Sequence, residues 1–181
     1  MKAFSFTRIL FVFFLLAGLG TMTEAQTDKP KSPPVSASHT VGDLTIKINY
    51  NAPSARGRTL WGELVPNGKV WRTGANKATT FEINQDVLIN GEKLMAGKYA
   101  LFTIPNEKEW TIIFNKEADQ WGAYSYDAGK DALRIKVNTG KSPEFSEQMT
   151  FDVGDNDENI GVVSFRWGDL KTHFNVEVAV Q

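Results

Sequence analysis

Short runs of alternating apolar and polar residues, cut by Gly, Pro and Asn, fill this chain from residue 44 to its end. Leu44, Ile46, Ile48 and Tyr50 alternate with Thr45, Lys47 and Asn49, which predicts a strand with one buried face. A Gly42-Asp43 turn precedes it, so the residues before that turn are expected to form a hairpin partner. Phe81 and Ile83 share a face of TTFEIN, and Val87 and Ile89 run into Asn90-Gly91, the strongest short hairpin signal. KYALFTI stops at Pro105-Asn106, and WTIIFN follows a short charged turn. Leu133, Ile135 and Val137 mark another strand, as do Met149, Phe151 and Val153. Val163, Phe165 and Trp167 are expected to reach a turn at Gly168-Asp169, with Phe174, Val176, Val178 and Val180 as a separate last strand.

No stretch keeps a helical period for ten residues. The fold class is therefore all-β: an antiparallel β-sandwich, jelly-roll-like, of about eight to ten strands with two long loops. The segment 116–131 has room for one helical turn.

The N-terminus follows other rules. Lys2 and Arg8 precede the apolar run ILFVFFLLAGL, and Thr23-Glu24-Ala25 places small residues before Gln26. This is the pattern of a cleaved export signal over residues 1–25. The run is shorter than the roughly 20 apolar residues a spanning helix needs, so no membrane span is expected after cleavage. Residues 26–36, with three Pro, read as a disordered leader, and 37–181 as a single domain. The expected location is the periplasm or the cell exterior.

Composition narrows the chemistry. The chain of 181 residues has no Cys, so it has no disulfide, thiolate metal site or Cys nucleophile. Its formal charge of −1 gives no general attraction to nucleic acid. His39 and His173 stand alone, without the paired spacing of a metal site. The acidic run at Asp155, Asp157 and Glu158 fails the calcium-loop register, because Ile160 stands where Gly is needed and Arg166 where Glu is needed. No G-x-S-x-G elbow and no phosphate-cradling loop occurs. No metal, cofactor or catalytic residue is assigned.

The two long segments, 51–78 and 116–131, carry the candidate site, since loops of this length in a compact domain are often functional. The first sets Arg56, Arg58, Lys69, Arg72 and Lys77 against Glu63 alone. Such an asymmetry suggests an anionic ligand, and guanidinium suits carboxylate or phosphate. Trp61, Trp71 and Asn76 add stacking surface and hydrogen bonding. The alternative is that Trp61 and Trp71 plug an end of the sandwich while the Arg residues pair with acidic loops such as 127–131. The second segment supplies Trp121, Tyr124, Tyr126, Asp127 and Asp131, aromatic rings beside carboxylates, as in sugar recognition. The candidate ligand-binding residues are thus Arg56, Arg58, Trp61, Trp71, Arg72, Asn76, Trp121, Tyr126 and Asp131.

At WRTGANKATTF, with RGRTLWGELVPNGKVW before it and MAGKYALFTIP and WTIIFNKEADQWGAYSYD after it, the chain resembles a family of bacterial exported proteins known as domain-of-unknown-function family 2911. The likeness runs from about Val35 to the C-terminus. Val65-Pro66-Asn67-Gly68 stands where that family reads V-P-Y-G. The resemblance implies a secreted β-sandwich-like domain and brings no activity or catalytic residue with it.

The expected function is non-catalytic binding of a small polar or anionic, carbohydrate-like ligand. A second reading is a carboxylate-based glycan hydrolase using two of Asp119, Asp127 and Asp131. A third is a structural or interaction protein of the cell envelope.

Overall fold

The computed structural model describes residues 30–156 and 160–179. The export signal, the expected cleavage before Gln26, Asp157, Glu158 and Val180 lie outside the described residues.

Ten strands follow in order: β1 Pro34–Val41, β2 Leu44–Asn51, β3 Thr79–Ile83, β4 Val87–Ile89, β5 Glu92–Leu94, β6 Gly97–Ile104, β7 Glu109–Asn115, β8 Asp131–Asn138, β9 Gly140–Asp155 and β10 Gly161–Val178. Six form one sheet, in the order β1-β2-β3-β6-β7-β8, and four form the other, β5-β4-β10-β9. All pairings are antiparallel. The architecture is the expected β-sandwich. A single 3-10 turn, Ala128–Lys130, interrupts the second long segment. Among the described residues no helix is long and apolar enough to cross a membrane.

Alternation fixes the core. Leu44, Ile46, Ile48 and Tyr50 are buried along β2, and Val163, Phe165 and Trp167 along β10. Rings meet between the sheets: Phe174 of β10 touches Phe81 and Phe114, and Phe151 of β9 meets Tyr50 edge-on. The sheets approach so closely at Gly161 that a Cβ there would lie 2.6 Å from Ile46 Cδ1.

Strand β6 departs from alternation, because Tyr99 through Thr103 are all buried. Its second face carries a small core of its own, Ala78, Ala100, Phe102 and Ile113, covered by Val70, Ala123 and Tyr126. The two long segments supply that cover.

Two expectations need correction. Strand β1 begins at Pro34, inside the stretch expected as leader. The carbonyls of Lys31, Ser32 and Pro33 already accept hydrogen bonds from Arg56, Asn51 and Ala52. Gly168-Asp169 does not separate two strands. Strand β10 runs through it, with Gly168 at φ +63°. The irregularity falls on the pairing with β9, whose register shifts on both sides of Gly168. A positive-φ Gly serves a bulge as well as a turn, so the local signal was the same for both.

Candidate functional site

The first long segment crosses from the sandwich end to the outer face of the six-stranded sheet. Trp71 forms an antiparallel bridge with Thr103 of β6, through hydrogen bonds of 2.8 and 2.9 Å. Thr73 and Asn76 take positive φ, +53° and +58°. The Thr73 carbonyl accepts from Thr79 Oγ1 at 2.7 Å, which stabilises that tight path. A Cβ at Gly74 would sit 3.0 Å from Thr79 Oγ1 and 3.2 Å from the Asn51 carbonyl, so only Gly fits without a shift. These contacts give the WRTGAN stretch a physical reason.

The second segment docks on the first. Lys77 and Trp121 form an antiparallel bridge, Ala78 donates to the Gln120 carbonyl, and Gly122 donates to the Asn76 carbonyl. Its far end is tied by Asp131. Asp131 Oδ1 accepts from Asn115 Nδ2 at 2.8 Å, and Oδ2 accepts from Tyr126 Oη and Arg134 Nε, each at 2.7 Å. Burial raises the Tyr126 phenol to about 12, aided by its bond to the Asp131 carboxylate and opposed by Arg134.

This frame distributes the nine candidate residues. Arg56 Nη2 donates to the Lys31 carbonyl at 3.1 Å. Arg58 folds back on its own turn and donates to the Ala55 and Ser54 carbonyls at 2.9 and 2.6 Å. Neither side chain forms an ion pair among the described residues. Arg72 is half-buried, and its Nε has no acceptor among the described residues. Asn76 is exposed in its left-handed turn. Trp61 and Trp71 join Trp110, Phe165 and Trp167 in one aromatic cluster at the end of the core. Tyr126 and Asp131 hold each other beneath the second segment, while Trp121 stays 62% exposed. Arg58, Arg72 and Asn76 do not line either of the two clefts described below. The carboxylates weighed for hydrolysis are also apart in role. Asp119 pairs with Lys77, Asp127 caps the 3-10 turn, and Asp131 accepts from Asn115, Tyr126 and Arg134.

Among the surface clefts large enough for a small ligand, two are lined by residues of the long segments. The first, about 460 Å³, opens at the sandwich end where Trp61 and Trp110 form part of the wall. Asn67, Asn106, Glu107, Lys141 and Asp169 line it as well. The side chains of these five make no hydrogen bond or ion pair among the described residues. Their backbones are fixed all the same. Trp110 Nε1 donates to the Asn106 carbonyl at 3.1 Å, Thr139 Oγ1 to the Glu107 carbonyl at 3.3 Å, and Gly68 to the Pro105 carbonyl at 2.8 Å. Polar side chains without partners among the described residues thus stand on a tied backbone beside indole rings. Sequence reasoning named only Trp61 of this set. The signal was present, since Asn67-Gly68, Pro105-Asn106 and Gly168-Asp169 are turn-type pairs, but nothing local says that they share one end. The second cleft, about 570 Å³, lies on the outer face of the six-stranded sheet beside Lys77.

Comparison with known families matches residues 32–176 to the model described as "Protein of unknown function (DUF2911)". No curated protein and no solved structure matches the chain.

Proposed function

The chain belongs to the DUF2911 family, whose description carries no activity, and from the geometry of its own surface we propose that it is a non-catalytic binder of a small, polar, carbohydrate-like ligand. The observation behind this reading is the cleft at the sandwich end. Half-buried Trp61 offers apolar surface there, and Asn67 and Asn106 offer both donors and acceptors. Glu107 and Asp169 outnumber Lys141 in the lining, so an uncharged sugar suits this cleft better than an acidic one. We also place the protein outside the cytoplasm, on the strength of residues 1–25.

The test is a titration with neutral mono- and oligosaccharides, read by backbone amide shifts. Binding should move the amides of residues 67, 106 and 169, and Asn106→Ala should weaken it without changing the melting point. A panel in which no sugar moves those amides sinks the proposal. A hydrolase reading moved from Asp119, Asp127 and Asp131 to Glu107 and Asp169 has one supporting observation, since both line this same cleft and neither carboxylate has a partner among the described residues. Release of reducing ends from a glycan, lost in Glu107→Gln, would favour it instead.

A further inference from the structure

We infer a second and separate binding cleft, on the outer face of the six-stranded sheet, that takes a small hydroxylated carboxylate of the sugar-acid class. The argument starts from what covers that face. Over β6 and β7 the long segments lay down an apolar layer, with Tyr126 meeting Phe102 edge-on at 5.0 Å. The layer stops at Ala78. Beyond it, the outward residues of β2, β3 and β6 are polar: Asn49, Asn51, Thr80 and Lys98. The step between layer and bare sheet is the cleft. Ala118 and Asp119 form one wall, and the start of β1, Pro34 to Ser36, forms another.

The loop wall is held in place. The Lys77–Trp121 bridge and the Ala78-to-Gln120 hydrogen bond fix its base. Gln120 Nε2 donates to the Asn115 side-chain oxygen at 3.2 Å and to the Glu117 carbonyl at 2.6 Å. A wall that is already ordered need not be ordered on binding, which lowers the entropic cost of taking a ligand.

The charges point to an anion. Lys77 and Lys98 face one carboxylate, Asp119. Lys77 Nζ lies 3.3 Å from Asp119 Oδ1, and both side chains are largely exposed, so that pair is weakly held. Lys98 has no ion pair among the described residues. Glu82 stands opposite it in the strand register but does not bridge to it, and lines a different hollow with Thr45 and Lys47. One cation is thus in excess, which a single carboxylate balances. Around it, Asn49 Nδ2 reaches Thr80 Oγ1 only at 3.5 Å, leaving capacity to bond ligand hydroxyls. Lys, unlike Arg, acts as a movable point charge and does not demand a flat two-toothed partner. Pro34 and Val35 add apolar surface to the wall facing Lys98 across the sheet. This cleft is on a different face from the Trp61 cleft and has the opposite charge balance, so each stands or falls alone.

The probes are glucuronate and gluconate, with glucose and inorganic phosphate as controls, titrated into the chain lacking residues 1–25 or into the full chain. Both sugar acids should move the amides of residues 49, 77–80, 98 and 119, and less so at high salt. Lys98→Gln should weaken binding about tenfold, the loss of one charge-assisted hydrogen bond, with an unchanged melting point because the side chain is exposed. Asp119→Asn should strengthen binding, since it frees Lys77. The inference is overturned if neither acid moves these amides at tens of millimolar, or if Lys98→Gln binds as the wild type does. Equal shifts from glucose or from phosphate would overturn the assignment to sugar acids.

Discussion

The Trp71 indole lies stacked on that of Trp167, with ring centroids 5.9 Å apart and planes 17° from parallel. One ring comes from the first long segment and the other from the middle of β10. Trp61 meets the same pair edge-on, at 6.2 Å from Trp71 and 5.8 Å from Trp167. The long segment is therefore anchored in the core by its aromatic residues, while its Arg side chains stay near the surface.

Truncating this stack should be costly. Trp167 is 1% exposed, so Trp167→Ala should destabilise by about 3–5 kcal/mol. Trp71→Ala should cost less, because that ring is half-buried. A double-mutant cycle should give a coupling of about 0.5–1.5 kcal/mol for the stacked pair. Urea unfolding of the three variants is the measurement. A loss under about 1 kcal/mol for Trp167→Ala, the range of surface changes, would contradict the packing described.

Contact between the sheets at Gly161 should tolerate no side chain. An added Cβ meets Ile46 Cδ1 at 2.6 Å and the Val176 carbonyl at 3.0 Å. Gly161→Ala should cost about 1–3 kcal/mol by overpacking, and part of that should return in the background of Ile46→Val. At Gly154 a Cβ meets nothing within 4 Å, and Gly154→Ala should stay within about 0.5 kcal/mol of wild type. Equal melting points for the two Ala variants would refute the close approach.

Arg58 and Arg72 should behave differently. Arg58→Ala removes two hydrogen bonds to backbone carbonyls, and the turn at 54–58 should lose about 1 kcal/mol. Among the described residues Arg72 has no carboxylate partner, and its Nε has no acceptor. The cost of about 3–5 kcal/mol for breaking a buried ion pair therefore does not apply to Arg72→Ala. Its effect should stay within about 1 kcal/mol. Denaturant midpoints decide between them, and a larger loss for Arg72→Ala than for Arg58→Ala would show a partner that the geometry lacks.

Tyr126 sets a pH dependence at the alkaline end. Its pKa in the folded chain is raised to about 12, against 10.0 for an ordinary phenol. The unfolded chain therefore loses this proton first as pH rises. The contribution to stability is whole below about pH 10 and is lost as pH climbs to about 12. Burial also raises Tyr50 and Tyr99, so phenolate absorbance should show a late-titrating fraction that shrinks by one Tyr in Tyr126→Phe. That variant should also lose less stability between these two pH values. If all tyrosines titrate together near pH 10 while the chain is folded, the Tyr126–Asp131 bond is not as described.

Much of the candidate site was hidden for reasons visible at single residues. Arg58 stands out in the sequence by its charge, yet its guanidinium is taken up by carbonyls three and four residues back. Asp131 was picked as a carboxylate beside aromatic rings, and it does sit beside Tyr126, but as the clamp of a loop. Asn106 and Asp169 read as ordinary turn residues and Lys98 as an ordinary solvated position until their neighbours are known.

By itself the sequence determined the sheet character, the strand faces and the Asn90-Gly91 hairpin. Those follow from backbone geometry over two to four residues: side chains alternate, and Gly at φ +90° turns the chain. Tertiary structure alone decided that β10 continues through Gly168, that Trp71 stacks on Trp167 and that the turns at Asn67 and Asn106 gather with the Gly168 bulge at one end of the sandwich. These depend on strand order, which joins residues up to about a hundred positions apart, as at Tyr50 and Phe151. Alternation says which side of a strand is buried. Only the pairing of distant strands says what it is buried against, and which polar side chains are left facing one another across an open cleft.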